Sequence, residues 1–70
     1  MSVAVIGPPS FIVAFELIGA KGYETNSGKA VAEILLRLIE EGKYGLIIIP
    51  ERFSKDTYSI RENIMRPFQP

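Results

Sequence analysis

Tyr44-Gly45-Leu46-Ile47-Ile48-Ile49-Pro50 is a continuous apolar run closed by a proline. A strand with one wet face alternates apolar and polar residues, whereas an unbroken run of branched aliphatics belongs to a strand covered on both faces, as in parallel sheets flanked by helices. The run is therefore read as the central strand of a small α/β fold. Just before it, Gly28 to Glu41 carries Val31, Ile34, Leu35, Leu38 and Ile39 at helical spacing, with Lys29, Glu33, Arg37 and Glu40 on the other side. That pattern predicts an amphipathic helix with one core-facing stripe, opened by Asn26 or Ser27 as N-cap and stopped by Gly42. Strand following helix in this order implies a right-handed crossover.

Working toward the N-terminus, Lys21 to Thr25 predicts a very short strand around Tyr23. Ser2 to Ile6 predicts a first strand, ended by Gly7-Pro8-Pro9. Between them Ser10 is expected to cap a helix from Phe11 to Gly19 that is apolar on nearly every side. A 70-residue chain has little material with which to enclose such a helix, so part of it is expected to meet a partner. Toward the C-terminus, a third helix is expected to begin between Ser54 and Thr57, to turn Ile60 and Ile64 inward, and to stop at Pro67. The fold class that results is α/β, a three-layer, Rossmann-like or receiver-like arrangement with a short parallel sheet between helices, in one domain spanning residues 1–70.

Composition narrows function. Eight Lys and Arg balance eight Asp and Glu, and the basic residues are mixed among acidic ones, so the electrostatic footprint of a nucleic-acid binder is missing. No cysteine and no histidine occur, which removes the commonest zinc ligands, the commonest general base and the usual nucleophile-plus-base pairs. No catalytic residue, cofactor or metal is expected. The longest apolar stretch, Phe11 to Ala20, contains Glu16 and is well short of the ~20 residues of a membrane span, so no direct membrane insertion is expected.

Three motifs invite a catalytic or nucleotide-binding reading and fail. Gly7-Pro8-Pro9-Ser10 sits between strand and helix, where phosphate loops lie, but two prolines remove two of the N–H donors a phosphate cradle uses. Ser27-Gly28-Lys29 resembles the end of a Walker A loop, yet Tyr23 stands where the first glycine is needed and Ala30 where a hydroxyl is needed. The first strand leads into Gly-Pro-Pro, not the acidic residues a phosphoacceptor receiver uses to hold Mg²⁺, and Glu51 beside Arg52 reads as a surface charge.

Ala4-Val5-Ile6-Gly7 with Pro9, Phe15-x-Leu17-x-Gly19, Gly22-Tyr23, the helix running through Leu38, and above all Tyr44-Gly45-Leu46-Ile47-Ile48-Ile49-Pro50-Glu51-Arg52 follow one another through most of the chain. In that order they resemble the F subunit of archaeal-type and vacuolar-type (A/V-type) rotary ATPases. The resemblance implies a non-catalytic rotor component of the central stalk. It would bind the D subunit and couple ATP hydrolysis or synthesis to proton or sodium transport, in the cytoplasm and peripheral to the membrane. It also implies a further strand and a C-terminal helix after the third helix, which this sequence, ending at Pro70, is expected to lack. The first helix departs from the family in carrying Phe11, Ile12 and Val13 where small or polar residues are usual. The candidate partner contacts are Phe11, Ile12, Arg52 and Phe53. The competing expectation is a stand-alone receiver-like adaptor that homo-oligomerises through its apolar first helix.

Overall fold

The computed structural model describes residues 2–64 of the chain, with the side chain of residue 64 outside that description. Its elements run β1 (Val3–Gly7), α1 (Pro9–Glu16), β2 (Lys21–Glu24), α2 (Gly28–Glu41), β3 (Leu46–Ile48), a 3₁₀ turn (Glu51–Phe53) and α3 (Ser54–Ile64). The three strands form a parallel sheet in the order β2-β1-β3. The expected α/β class with helices about a short parallel sheet is thus what the chain adopts.

One strand assignment needs correction. Among the described residues, the apolar run beginning at Tyr44 supplies an edge strand, while β1 takes the centre, pairing Ala4 with Lys21 on one side and with Ile47 on the other. Ala4, Val5 and Ile6 are completely buried, whereas Leu46 keeps 48% of its surface exposed. A run of apolar residues reports cover on the two faces of a strand and carries no information about how many neighbours it has in the sheet. The pairing of β3 with β1 does extend backward, since Gly45 N–H donates to Ser2 C=O at 2.9 Å.

The alternation along β1 divides the core. Ala4 and Ile6 pack with Val31, Leu35 and Leu38 of α2 and with Phe53, and Tyr23, Ile47, Ile49 and Ile60 lie against that cluster. Val5 and Gly7 point to the opposite face, where Ile12 of α1 lies close to Gly22, the register partner of Val5. Each fully buried aliphatic side chain of this kind contributes about 1.5–3 kcal/mol. Helix α2 has the expected bounds. The Ser27 hydroxyl accepts from Ala30 N–H at 3.2 Å, and Gly42 closes the helix at φ 68°, where its N–H reaches Leu38 C=O at 3.1 Å.

Helix α1 starts differently from the expectation. Its N-cap is Pro8, with no side-chain cap, and Pro9 occupies the first helical position. Proline there lacks only an N–H that would be unpaired anyway, and its restricted φ suits the first turn, so the helix opens before Ser10 can cap it. The helix ends at Glu16, and a turn through Leu17 and Ile18 closes on Gly19 at φ 101°. Ile60 of α3 faces the core as expected, while Pro67 lies outside the described residues.

Candidate partner-binding surface

The loops after β1 and β3 meet at the C-terminal end of the sheet, where open α/β sheets place their ligands. Gly7 is the point of closest approach. A methyl group added to it would lie 3.1 Å from the Phe11 ring and 3.1 Å from the Pro50 ring, so the end of β1 is clamped between the start of α1 and the loop that follows β3.

Of the expected contacts, two reach solvent and two are inside. Phe11 is half-buried and packs on Phe15 with ring centroids 5.2 Å apart. Arg52 is exposed, donates to Asn26 Oδ1 ahead of α2, and lies over the Phe53 ring at 4.7 Å. Ile12 and Phe53 are only 5% and 6% exposed. Helical periodicity alone underweights the cover that β1 and β2 supply over Ile12, and it does not register the 3₁₀ turn that swings Phe53 under α2. The uncovered apolar surface of α1 instead sits further along: Val13 is 52% exposed, and in the turn that follows the helix Leu17 is 83% and Ile18 82% exposed.

A second concave surface lies between β3, α2 and α3. This groove has a volume of about 500 Å³ and is lined by Leu38, Ile39, Tyr44, Leu46, Ile49 and Thr57, among others. Thr57 is buried, and its hydroxyl donates to Phe53 C=O at 3.1 Å while accepting from Arg61 Nε at 3.2 Å. Arg61 is held further by Ser54, at 2.9 Å to its C=O and 3.1 Å to its hydroxyl. The only polar side chain among the buried residues described is therefore hydrogen-bonded, as burial demands. At the end of the groove the Tyr23 and Tyr44 hydroxyls share a hydrogen bond of 2.6 Å with their rings edge to face. The bond to Tyr44 and partial burial hold the Tyr23 hydroxyl above its ordinary pKa.

Neither surface assembles a reactive group. Among the described residues no three acidic side chains cluster in a way that could hold a metal ion, and no buried side-chain polar atom lacks a partner. The chemistry available among the described residues is apolar contact and guanidinium groups over aromatic rings. The tyrosine pair and the Arg52–Asn26 bond left no trace in the sequence, since each joins residues 21 or more positions apart.

Residues 3–68 match the family described as ATP synthase (F/14-kDa) subunit. This chain belongs to that family. It is similar to the F subunit of the V-type ATP synthase from two strains of Thermus thermophilus, at 33% identity over 63 residues in both cases. It is also similar to the F subunit of the A-type ATP synthase from Methanospirillum hungatei, at 36% identity over 50 residues. The matched segments cover 90% and 70% of this chain, respectively, but 61% of the Thermus proteins and 50% of the Methanospirillum protein. The chain thus spans about three-fifths of the length of the Thermus relatives. The resemblance drawn from the Tyr44–Arg52 stretch and its flanks is borne out at the level of the family.

Proposed function

We propose that this F-family chain is a non-catalytic subunit of an A/V-type rotary ATP synthase, seated in the central stalk and bound to the D subunit. In that position it contributes to coupling ATP hydrolysis or synthesis to proton or sodium movement through mechanical contact, on the cytoplasmic side and peripheral to the membrane. The observation that carries the reading is the family match across residues 3–68. It is supported by a fold whose two surfaces offer contact and no reacting group. No described helix is long and apolar enough to cross a membrane, which fits attachment through other subunits.

The proposed contact is formed by Phe11 and Arg52 at the C-terminal end of the sheet, with Ile12 and Phe53 holding them from beneath. Mixing the purified chain with a D subunit and measuring mass by size exclusion with light scattering tests the reading. A one-to-one complex is expected, and Arg52→Glu is expected to weaken it. Absence of any complex overturns the stalk assignment; a complex indifferent to Arg52→Glu and Phe11→Ala removes this face from the contact. The exposed Val13, Leu17 and Ile18 favour a second reading, an adaptor that self-associates through α1 and the turn after it. A chain that forms oligomers dissolved by Leu17→Lys and ignores the D subunit would establish it.

A further inference from the structure

The tyrosine pair has no part in the proposed contact. Tyr23, in β2, and Tyr44, just ahead of β3, belong to segments that flank the central strand, and both are half-buried. Their hydroxyls meet at 2.6 Å, with ring centroids 6.2 Å apart. Loss of one electron and the hydroxyl proton turns a phenol into a phenoxyl radical, whose spin sits on the oxygen and on the ring carbons ortho and para to it. In tyrosine the para carbon is blocked by the main-chain attachment, so coupling falls to the ortho carbons. A hydroxyl-to-hydroxyl contact sets the ortho carbons of the two rings alongside one another, as a reacting pair held in place.

The rest of the sequence offers an oxidant few competing targets. Cysteine, which reduces tyrosyl radicals, is absent, and so is tryptophan, the other side chain that readily gives up one electron. The third tyrosine, Tyr58, is 57% exposed and carries the Arg61 guanidinium 5.8 Å from its ring centroid, where a positive charge makes removal of an electron costlier. We infer that Tyr23 and Tyr44 are a site of oxidative cross-linking within the chain, joined through their ortho carbons when a one-electron oxidant acts on the pair. Each phenol gives one electron to the oxidant and its hydroxyl proton to water, and the two radicals couple carbon to carbon. The ortho hydrogen of each ring then moves to its oxygen and restores the phenol. The product has lost two electrons and two protons and gained one C–C bond. It closes a loop that contains α2 and ties β2 to the segment ahead of β3, which restricts the unfolded chain and makes the oxidised fold harder to unfold. The inference concerns the chain alone and is independent of the stalk assignment.

The test is oxidation of the dilute, folded chain by photogenerated tris(bipyridyl)ruthenium(III), with persulfate as terminal oxidant, taking up two electrons to leave two sulfate ions. The monomer band on a denaturing gel is expected to gain the blue fluorescence of dityrosine and to lose the mass of two hydrogen atoms. Trypsin is expected to release Gly22–Lys29 joined to Tyr44–Arg52. Tyr23→Phe and Tyr44→Phe, which keep both rings, are each expected to abolish the signal, and Tyr58→Phe to leave it unchanged, with far-ultraviolet circular dichroism confirming that each variant is folded. The cross-linked chain is expected to unfold at a higher urea concentration than the untreated one. A monomer band without dityrosine overturns the proposal, as does a cross-link that includes Tyr58. So does an equal yield when the chain is oxidised while unfolded in urea, since coupling would then owe nothing to the contact made in the fold.

Discussion

Leu38 is 1% exposed and stands where the stripe of α2 meets the central strand, in the cluster that includes Ala4, Ile6 and Phe53. Truncating it to alanine removes buried methyl groups and leaves a cavity bounded by a β-sheet that cannot easily collapse, a change that costs about 2–5 kcal/mol in comparable cores. A chain of this length has roughly 4–10 kcal/mol of stability to lose. Leu38→Ala is therefore expected to remove about a fifth or more of the total and, at about 4–8 °C per kcal/mol for a domain of this size, to lower Tm by roughly 8–40 °C. Thermal and urea unfolding followed by circular dichroism, at matched protein concentration, measures it. Leu36, two positions earlier but 40% exposed, is the control, and Leu36→Ala is expected to stay within about 0.5 kcal/mol of the parent. A loss below about 0.5 kcal/mol for Leu38→Ala, or equal losses for the two, would refute the assignment of the core-facing stripe.

Other expectations follow from single contacts. Gly7→Ala forces a methyl into the gap between the Phe11 and Pro50 rings, neither of which is a flexible side-chain end, and is expected to destabilise by about 1–3 kcal/mol in the same unfolding assay. Ser27→Ala removes the side-chain cap of α2 and should cost about 1 kcal/mol, whereas Ser10→Ala, at a position with no cap to lose, should leave stability within about 0.5 kcal/mol. The Tyr23 hydroxyl has a pKa raised in the fold, so the folded chain holds that proton more tightly than the unfolded one. The associated stability is whole below the ordinary tyrosine value of about 10 and is lost as pH rises through the higher folded value. Urea midpoints at increasingly alkaline pH should fall for the parent and fall less for Tyr23→Phe.

The elements most legible in the sequence were those with local, redundant signals. Helix α2 has an N-cap hydroxyl, an apolar stripe at helical spacing and a terminal glycine that needs positive φ, and each points to the same bounds. The first helix was legible as a helix, but Pro9 displaced its start because a proline at the first helical position outweighs a hydroxyl one residue later. Strand order was not legible. Val3–Gly7 and Leu46–Ile48 are both short apolar runs, and which of them sits in the middle depends on how the two crossovers are routed. The candidate contact face was legible only in part, because burial of Ile12 and Phe53 is decided by β2 and by the 3₁₀ turn, elements too short to announce themselves.

The central place of β1 sets the order in which the molecule can be assembled. Its register with β3 joins Val3 to Leu46 and Val5 to Ile48, far apart in the sequence, and α2, which covers it, lies between. During synthesis Val3 to Ile6 leaves the ribosome before β3 exists to pair with its second edge. Such long-range closure slows folding and prolongs the interval in which a nascent chain can stick to its neighbours. A chaperone footprint on a stalled nascent chain should accordingly persist on the first strand until Ile48 has emerged, and vanish soon after.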